Sequence, residues 1–455
     1  MQDHLFMQYA RWLRIAFFAL LVSIAFAQAA ESATINVFPG GSIGLEQAVA
    51  RAAPGAVIRV HPGIFHVHLV LKRSIWLMGM KGAVLDGSHH GNVILVKASN
   101  VTVSGFVIRN SGINLTNENA GVFIDQHAAN TTIRDNWIVH DLFGVWLNGD
   151  PSPKIVNNHV RGIRSLRSQD RGDGIHLWNV DGGEIKGNDV WQTRDGIYIY
   201  VSKNVLLEDN YVHDVRYGFH WMYSNHCIVL FNRTTDNRAG YALMFSRYLL
   251  VVRNRSINDR NYGVLLNFVN YSQISGNTIV HVEAGLGYGT GGSPVPGAAG
   301  IGIFVYDSNY DQISYNWLAD SEIGVNFTGG SQNGIVFGNS FLYNRIEAKY
   351  VQNMEAEWSL QGRGNYWSGY MGWDLNGDGI GDTPYRPNSA VDVLLWKYPM
   401  AHLLLGSPAL MALRWAQKQF PVTRPPSVQD SYPLMHPPFP IPQKLEKLIL
   451  HYRSS

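Results

Sequence analysis

Methionine and histidine side chains recur at a fixed interval in the middle of the chain. Met222 and Met244 are 22 residues apart, and His220 precedes Met222 by two positions. His176 lies 44 residues, or two intervals, before His220. Thioether and imidazole groups together select Cu(I) over harder cations. If the chain repeats with this interval, the two methionines become direct neighbours, and the sequence predicts a Cu(I) site built from these four residues.

Aromatic residues occupy equivalent positions of the same interval. They are Trp146, Trp178, Tyr198 and Tyr200. A contiguous exposed strip of aromatic side chains normally marks a binding site, and a strip of this kind is typical of a sugar-binding groove. In the alternative interpretation, a neighbouring loop packs over the strip and buries it. The sequence leaves both interpretations open.

Two aspartates could form an acid–base pair. Asp173 and Asp195 each precede a glycine of the repeat, so they should stack on adjacent repeats with Arg171 and Arg194 close by. A general acid needs a raised pKa, whereas neighbouring arginines hold a carboxylate ionised. The pattern therefore favours an ion-pair ladder. The alternative function is a carbohydrate-active or carbohydrate-binding protein acting on acidic polysaccharide.

An acidic loop near the end of the repeats resembles the start of a calcium loop. Its oxygen-bearing side chains stand at positions 1, 3, 5 and 9 and belong to Asp374, Asn376, Asp378 and Asp382. This spacing, with a glycine at position 6, matches an EF-hand-like loop. Tyr385 stands at position 12 in place of the bidentate glutamate. The sequence predicts either a modest structural Ca²⁺ site or an Asx-turn loop that needs no ion.

The interval itself defines the fold that must position these residues. A glycine is followed 14 positions later by an asparagine, about once every 22 residues. The pairs are Gly144 and Asn158, Gly174 and Asn188, Gly196 and Asn210, Gly218 and Asn232, Gly240 and Asn254, Gly263 and Asn277, and Gly302 and Asn316. A short period rich in β-branched and aromatic residues indicates a β-solenoid whose coils must stack to bury their apolar faces. We predict a right-handed parallel β-helix with an asparagine ladder at one corner.

Alternation within the strand that follows each glycine divides its side chains between two faces. Positions one and three after the glycine are almost always apolar and should fill the interior. Positions two and four should face outward, and they hold the methionine, histidine and aromatic residues described above. Coils stack about 4.8 Å apart. The candidate site residues should therefore lie in two neighbouring outward columns.

Both ends of the solenoid show different patterns. Residues 44–53 have apolar side chains at helical spacing and should form a short helix that caps the open first coil. After the repeats, Ser407 and Pro408 resemble a helix start, so we predict a helix near residues 409–419. A proline-rich stretch and a last short helix at 444–452 should follow.

Four segments result from these patterns. We expect a signal peptide over residues 1–29 and the capped β-helix over 30–353. A Trp-, Gly- and Asp-rich end with the acidic loop should span 354–400, and a helix with a proline-rich tail should span 401–455.

Composition narrows the possible partners and location. The 36 basic and 34 acidic residues give no electrostatic footprint for nucleic acid. Arg11 and Arg14 precede an apolar run at 15–27 that ends in small residues, which is typical of a secretory signal peptide. The single cysteine, Cys227, excludes an intrachain disulfide. We predict a periplasmic protein that is at most peripheral to the inner membrane.

Several strings resemble the NosD family, the periplasmic β-helix proteins of nitrous oxide reductase maturation. They are GDGIHLWN at 172–179, FHWMYSN at 219–225, GYALMFS at 240–246, GRGNYWS at 362–368 and DTPYRPN at 382–388. The similarity covers nearly the whole chain after the leader. It implies an assembly factor and not an enzyme, one that carries copper towards the copper–sulfide centre of nitrous oxide reductase.

The resemblance also implies partners. Proteins of this family work with an ABC complex made of an inner-membrane permease and a cytoplasmic ATPase. They are expected to receive copper from a copper-chaperone lipoprotein. The predicted helix and tail would then dock on the permease. The candidate docking residues are Leu410, Met411, Leu413, Trp415 and Phe420.

Overall fold

The computed structural model describes most of the chain from residue 34 onward. The described residues are 34–283, 299–351, 354–398, 400, 403, 407–408, 411–412, 415 and 426–454. Three long parallel sheets run side by side along one axis, with 13, 12 and 13 strands, and each coil of the chain adds one strand to each sheet. This is the parallel β-helix that the Gly-to-Asn interval predicts.

The sheets have the following strands. Sheet 1 holds Thr34–Val37, Val57–Val60, Trp76–Gly79, Thr102–Ser104, Thr132–Arg134, Lys154–Val156, Glu184–Lys186, Leu206–Glu208, Ile228–Leu230, Leu250–Val252, Gln273–Ser275, Gln312–Ser314 and Ile335–Phe337. Sheet 2 holds Leu69–Leu71, Ile94–Val96, Ala120–Ile124, Phe143–Asn148, Ile175–Trp178, Asp195–Tyr200, Tyr217–Met222, Ala239–Met244, Tyr262–Asn267, Ile301–Tyr306, Ile323–Thr328 and Ile346–Tyr350. Sheet 3 holds Gly63–His66, Ala83–Asp86, Val107–Arg109, Trp137–Val139, His159–Arg161, Asp189–Trp191, Tyr211–His213, Arg233–Thr235, Arg255–Ile257, Thr278–Val280, Trp317–Ala319, Ser340–Leu342 and Tyr366–Trp367.

The repeat glycine lies where two coils come closest in sheet 2. A Cβ atom at Gly218 would stand 2.7 Å from the carbonyl oxygen of Gly240 and 2.7 Å from the Thr234 Cγ2 atom. No side chain fits there, so glycine recurs at this point. The next inward positions, Phe219 and Trp221, are fully buried, as the alternation predicts.

Buried asparagines form the predicted ladder at one corner. In each coil the asparagine side chain donates to the amide oxygen of the next coil, for example from Asn210 Nδ2 to Asn232 Oδ1 at 2.9 Å. The same oxygen accepts the backbone N–H of Asn210 at 3.0 Å. The ladder members are Asn136, Asn158, Asn188, Asn210, Asn232, Asn254, Asn277, Asn316, Asn339 and Asn365. Because these groups are buried and paired across coils, the ladder fixes the stacking register.

The helix α1, Leu45–Arg51, closes the first coil as predicted. It buries Leu45, Ala48 and Val49 against the end of the solenoid. The helix covers apolar surface that a terminal coil would otherwise expose.

The C-terminal region differs from the prediction. A helix α2, Ala390–Lys397, which the sequence reading missed, begins with a capping box between Ser389 and Asp392. The predicted helix at 409–419 falls mostly outside the described residues, and so do Leu410, Leu413 and Phe420. Of the candidate docking residues, Met411 and Trp415 are described, and both are exposed, at 65% and 62%.

The tail from residue 426 onward packs on the solenoid itself, and its docking on the permease stays a prediction. Strand Val428–Gln429 pairs in parallel with Ala356–Glu357. Asp430 then accepts the backbone N–H of Asn365 at 2.7 Å and caps the asparagine ladder. The carboxylate accepts four hydrogen bonds, from the backbone N–H and Nδ2 of Asn365, the Nε1 of Trp367 and the backbone N–H of Tyr432.

The last helix, α3, spans Gln443–Ser454 and confirms the prediction of a terminal helix. Leu445 and Ile449 are buried against Trp317 and Leu342 of sheet 3. Tyr452 stacks on His281, with ring centroids 4.1 Å apart. Within the described part of the chain, no helix is both long and apolar enough to cross a membrane. The expected signal peptide lies outside the described residues.

Candidate functional site

The candidate residues form two adjacent columns on the outer face of sheet 2. We call them the first lane and the second lane. Strand register places the first lane in the order Trp146, His176, Tyr198, His220. Strand register places the second lane in the order Trp178, Tyr200, Met222, Met244. The two methionines are therefore direct neighbours on adjacent coils, as the interval predicts.

The exposure of the lanes is uneven. Trp146 is only 5% exposed, because His176 stacks on it at 3.8 Å and because it shares a buried cluster with Phe143, against which Leu166 packs. Leu166 belongs to the charged insertion at 164–171, so the alternative in which a loop covers the strip applies at this end. Trp178 is 43% exposed, and Met222 and Met244 are half-buried. The accessible part of the surface is therefore the second lane.

His220 is held by a fully buried carboxylate. Its Nδ1 atom lies 2.9 Å from Asp195 Oδ2, and Arg216 binds both oxygens of Asp195 at 2.8 and 2.6 Å. Burial acts to raise the pKa of Asp195, but the bonds from His220 and Arg216 hold that pKa below its ordinary value. The ionised carboxylate accepts the proton of Nδ1, which leaves the lone pair of Nε2 available. Among the described residues, no hydrogen-bond partner contacts that Nε2 atom.

His176 repeats this arrangement two coils away. Its Nδ1 atom lies 2.8 Å from Asp173 Oδ2, and Arg194 binds Asp173 at 3.2 Å. The aspartates thus form the ion-pair ladder that the sequence predicts. The expected role of Arg171 is wrong, because its guanidinium donates to the carbonyl oxygens of Leu166, Arg164 and Gln192.

Tyr198 connects the two histidines and one methionine. Its ring stacks on His220 with centroids 4.3 Å apart, and it meets His176 edge-on at 4.7 Å. Its Oη atom donates to Met222 Sδ at 3.3 Å. Burial and the charges of Asp173 and Asp195 raise the pKa of Tyr198 to about 12, so the phenol stays neutral and keeps this proton.

The donor set suits a soft cation more than a hard one. The described residues contain no group of three or more His, Cys, Asp or Glu side chains arranged to hold a metal ion. A metal site in the lanes must therefore use thioether sulfur together with imidazole nitrogen. That combination favours Cu(I). Met222 and Met244 are half-buried, whereas His176 and His220 are each only 6% exposed.

The acidic loop is organised by its own backbone. Asp374 Oδ1 and Oδ2 accept the N–H groups of Gly377 and Gly379 at 2.7 and 2.8 Å. Asp382 Oδ2 accepts the N–H of Leu375 at 2.7 Å, and Asn376 donates to Asp378 at 3.1 Å. These are Asx-turn contacts, which the loop can make without an ion. Calcium binding there stays a prediction.

Sequence reasoning missed the link between the aspartates and the histidines. The pairs Asp173–Arg194 and Asp195–Arg216 each have a spacing of 21 residues, and Asp195–His220 has a spacing of 25. These spacings, each close to the length of one coil, were visible in the sequence. They do not show which side chains reach the neighbouring coil, so they could not predict which aspartate contacts which histidine.

Comparison with known proteins identifies a family for the chain. A family model described as "Periplasmic copper-binding protein (NosD)" matches residues 156–372. A second, described as "Protein of unknown function (DUF1565)", matches residues 72–227. The "Probable ABC transporter binding protein NosD" of Pseudomonas aeruginosa is 48% identical over 376 residues, which cover 83% of this chain and 87% of that protein. The protein of the same name from Stutzerimonas stutzeri is 44% identical over 381 residues, with coverage of 84% and 87%.

Solved structures show the same fold at low sequence identity. The A-module of the Azotobacter vinelandii mannuronan C-5 epimerase AlgE4 has a TM-score of 0.52 and 12% identity, covering 69% of this chain and 93% of its own. The A-module of AlgE6 from that organism has a TM-score of 0.51 and 14% identity, with coverage of 70% and 93%. At these identities the likeness concerns the β-helix alone.

Proposed function

Since the chain belongs to the NosD family of periplasmic copper-binding proteins, we propose that it accepts Cu(I) and delivers it for assembly of the copper–sulfide centre of nitrous oxide reductase. The relatives are named as binding proteins, which supports a non-enzymatic role. Their names also support an ABC transporter as partner. The permease and ATPase, the copper-chaperone lipoprotein and nitrous oxide reductase are the partners of this proposal.

One observation carries the proposal. His220 is oriented by the buried Asp195, and it lies in the lane beside the neighbouring thioethers of Met222 and Met244. A carboxylate on one imidazole nitrogen fixes the tautomer and makes the other nitrogen a better metal ligand. Cu(I) is the cargo that this nitrogen and the two sulfurs would hold.

The site is suited to transient binding. The Tyr198 hydroxyl donates a hydrogen bond to Met222 Sδ, so in the absence of a cation this sulfur is hydrogen-bonded to a neutral group. A cation that binds through the lone pair used in this contact replaces the hydroxyl, and the contact forms again when the cation leaves. His176, two coils away with its own aspartate, is the second imidazole that we assign to the path of the cation.

Docking on the membrane partner is a separate part of the proposal. Met411 and Trp415 are exposed, while residues 426–454 are folded onto the solenoid. We therefore assign the permease contact to residues near 411–415 and not to the terminal helix. A tail deletion from residue 421 would also remove the segment that caps the last coil.

The test replaces the two methionines in a denitrifying bacterium that lacks its own copy of the gene. Met222→Ser/Met244→Ser should leave the protein exported but lower the copper content of purified nitrous oxide reductase and its N₂O reduction to the level of the deletion strain. Met80→Ser, an exposed methionine far from the lanes at 40% exposure, is the matched control. Full copper loading with the double variant would overturn the proposal.

A further inference from the structure

The first lane continues beyond the copper site to the last coil of sheet 2. Strand register carries it from His220 past two buried apolar residues to Phe304, Asn326 and Lys349, which lie on three successive coils. We call these last three residues the lane end. Phe304 and Lys349 are half-buried, and Asn326 is only 4% exposed. An aromatic ring, an amide and an ammonium group are therefore neighbours there.

The ammonium group of Lys349 has no counter-charge. Its Nζ atom lies 5.7 Å from the centroid of the Trp396 ring, which belongs to α2. Within the part of the chain that the structure describes, no carboxylate and no hydrogen-bond acceptor contacts this atom. Burial lowers the pKa of Lys349, because the side chain loses hydration that no anion replaces. Lysine is almost never buried without a partner, so the position suits a ligand that brings the negative charge.

The acidic side chains of the same two coils are held by other groups. Glu347 accepts the N–H of Gly369 at 2.9 Å and the hydroxyl of Tyr385 at 2.7 Å. Glu322 forms an ion pair with Arg345. Neither carboxylate is directed to Lys349, so the charge of this lysine is available to a bound molecule.

Asn326 supplies an acceptor that is also unused. Its Oδ1 atom is buried and has no hydrogen-bond partner among the described residues. The asparagines of the ladder differ, since Asn232 has both its amide oxygen and its amide nitrogen paired. A buried carbonyl oxygen without a donor destabilises a fold. A ligand at the lane end that offers an N–H group would satisfy it.

The aromatic wall of the lane end is held in place. The Asn388 side chain donates to the backbone oxygen of Ala348, next to Lys349, and accepts the hydroxyl proton of Ser427 at 3.2 Å. Helix α2 begins directly after this anchor, with its capping box. Trp396 is thus fixed beside Lys349 before a ligand arrives, which lowers the entropic cost of binding.

The last residue of a polypeptide carries the two groups that the lane end lacks. Its free carboxylate and its amide N–H are attached to one Cα atom, and adjacent coils are about 4.8 Å apart, so both groups can reach neighbouring coils together. We propose that the lane end binds the free C-terminus of a polypeptide chain, with the carboxylate on Lys349 Nζ and the last amide N–H on Asn326 Oδ1. An ammonium–carboxylate contact is a strong, charge-assisted hydrogen bond.

The lane end also selects the side chain of that last residue. Phe304 and Trp396 offer ring carbons on either side of the polar pair, so an apolar last side chain fits better than a charged one. Capture of a terminal carboxylate is a recurring mode of peptide recognition. Two buried apolar residues separate the lane end from His220, and this site does not depend on the function proposed above.

The test uses fluorescein-labelled pentapeptides that end in Leu, Phe, Val or Ser, each with a free C-terminal carboxylate or as the C-terminal amide. Fluorescence anisotropy with the purified protein measures their affinities. At least one peptide with an apolar last residue should bind, and its amide should bind at least about tenfold more weakly.

Three variants locate the binding. Lys349→Met removes the charge at nearly the same side-chain length and should weaken binding of the free-acid peptide by at least about tenfold. Asn326→Leu removes the acceptor at similar volume and should weaken it by about fivefold. Lys154→Met changes an exposed outward lysine of sheet 1 and should match the wild type.

Three results would overturn the proposal: equal affinity for the acid and the amide, unchanged affinity in Lys349→Met, or a wild type that binds none of the peptides. Sodium acetate distinguishes a terminal residue from a bare carboxylate. Acetate should displace the peptide only at concentrations at least about 100-fold above the peptide's Kd, because it has no N–H and no side chain. Displacement at the Kd itself would reduce the lane end to a simple anion site and overturn the assignment.

Thermal unfolding separates a binding role from a structural one. Lys349→Met and Asn326→Leu each remove a polar group that has no partner, so both variants should unfold at or above the wild-type temperature. A clearly lower unfolding temperature in both would assign these side chains to the stability of the last coil and overturn the proposal.

Discussion

The asparagine corner and the outer face of sheet 2 are built from the same repeat, yet they use polar groups in opposite ways. At the corner, Asn232 is buried, and both its amide oxygen and its amide nitrogen are paired with neighbouring coils. In the lanes, His220 has one nitrogen held by Asp195, and its other nitrogen has no partner among the described residues. A fully paired group stabilises the stack, whereas a half-paired group on a fixed ring can bind a ligand.

Two buried carboxylates show the same contrast. Asp259 receives hydrogen bonds from neutral groups, the hydroxyls of Thr234 and Ser256 and the N–H of Asn237, and burial raises its pKa to about 6. Asp195 is equally buried, but Arg216 and His220 hold its pKa below the ordinary value. The charge of the partners, and not burial alone, decides which carboxylate remains ionised at neutral pH.

The largest loss of stability is expected from a substitution in the asparagine ladder. Asn232→Ala removes the acceptor of Asn210 and the donor to Leu207, so several buried polar groups lose partners. Each such group destabilises by about 1–3 kcal/mol, which gives a loss of about 4 kcal/mol in unfolding free energy. Urea denaturation followed by circular dichroism measures it. Asn267→Ala on the outer face is the control, and its unfolding free energy should stay within about 0.5 kcal/mol of the wild type. Equal losses in the two variants would mean that the buried corner asparagine stabilises the fold no more than an outward one.

The next effect concerns the protonation of Asp259. In the fold burial raises the pKa of its carboxyl to about 6, so the group keeps its proton up to that pH, whereas the unfolded group loses it near its ordinary pKa of 3.8. The folded state therefore binds more protons between these values, and unfolding free energy should fall as pH rises through that window, by about 3 kcal/mol at 1.36 kcal/mol per pKa unit. Asp259→Asn should remove this part of the pH dependence. Urea midpoints at pH 4 and pH 7 test it, and a variant with the wild-type pH profile would contradict it.

A smaller effect, on Cu(I) affinity, is expected from neutralising the carboxylate that holds His220. Asp195→Asn keeps the shape of the side chain but removes the charge that fixes His220, so Cu(I) affinity should fall about 10- to 100-fold. Chelator competition at pH 7 measures it. Asp173→Asn, behind His176, is the matched variant and should lower affinity less. Full affinity in Asp195→Asn would mean that the carboxylate only stabilises the fold.

The smallest effect should come from an aromatic residue of the second lane. Trp178→Ala removes a side chain that is 43% exposed and offers no soft donor. Cu(I) affinity should change by less than about twofold, and stability by less than about 1 kcal/mol. Isothermal titration with an acidic oligosaccharide should show no binding in either form. Glycan binding that Trp178→Ala abolishes would instead favour the carbohydrate interpretation of the lanes.

The repeat was predictable because every coil has the same packing requirements. The close approach at Gly218, the inward Phe219 and Trp221 and the paired asparagines are local requirements that recur every coil, so they leave a period in the sequence. Strand order and the neighbouring positions of Met222 and Met244 follow from that period.

Contacts without a period were not predictable. Leu166, in an insertion that occurs once, packs against the cluster that contains Trp146, and Asp430 caps Asn365 across 65 residues. No repetition marks either contact, so the sequence left the covering of the lane open as an alternative and did not predict the folded tail. Helix α2 is a different case, because the Ser389 and Asp392 capping box was present in the sequence and could have indicated its start.

A Cu(I) competition titration on the mature chain tests the central claim most directly. The wild type and Met222→Ala/Met244→Ala are titrated against a chromophoric Cu(I) chelator, with circular dichroism confirming that both are folded. We predict that the double variant loses at least about 100-fold in Cu(I) affinity because both thioethers are absent. Equal affinity in the two proteins would contradict the account and place the copper ligands outside the lanes.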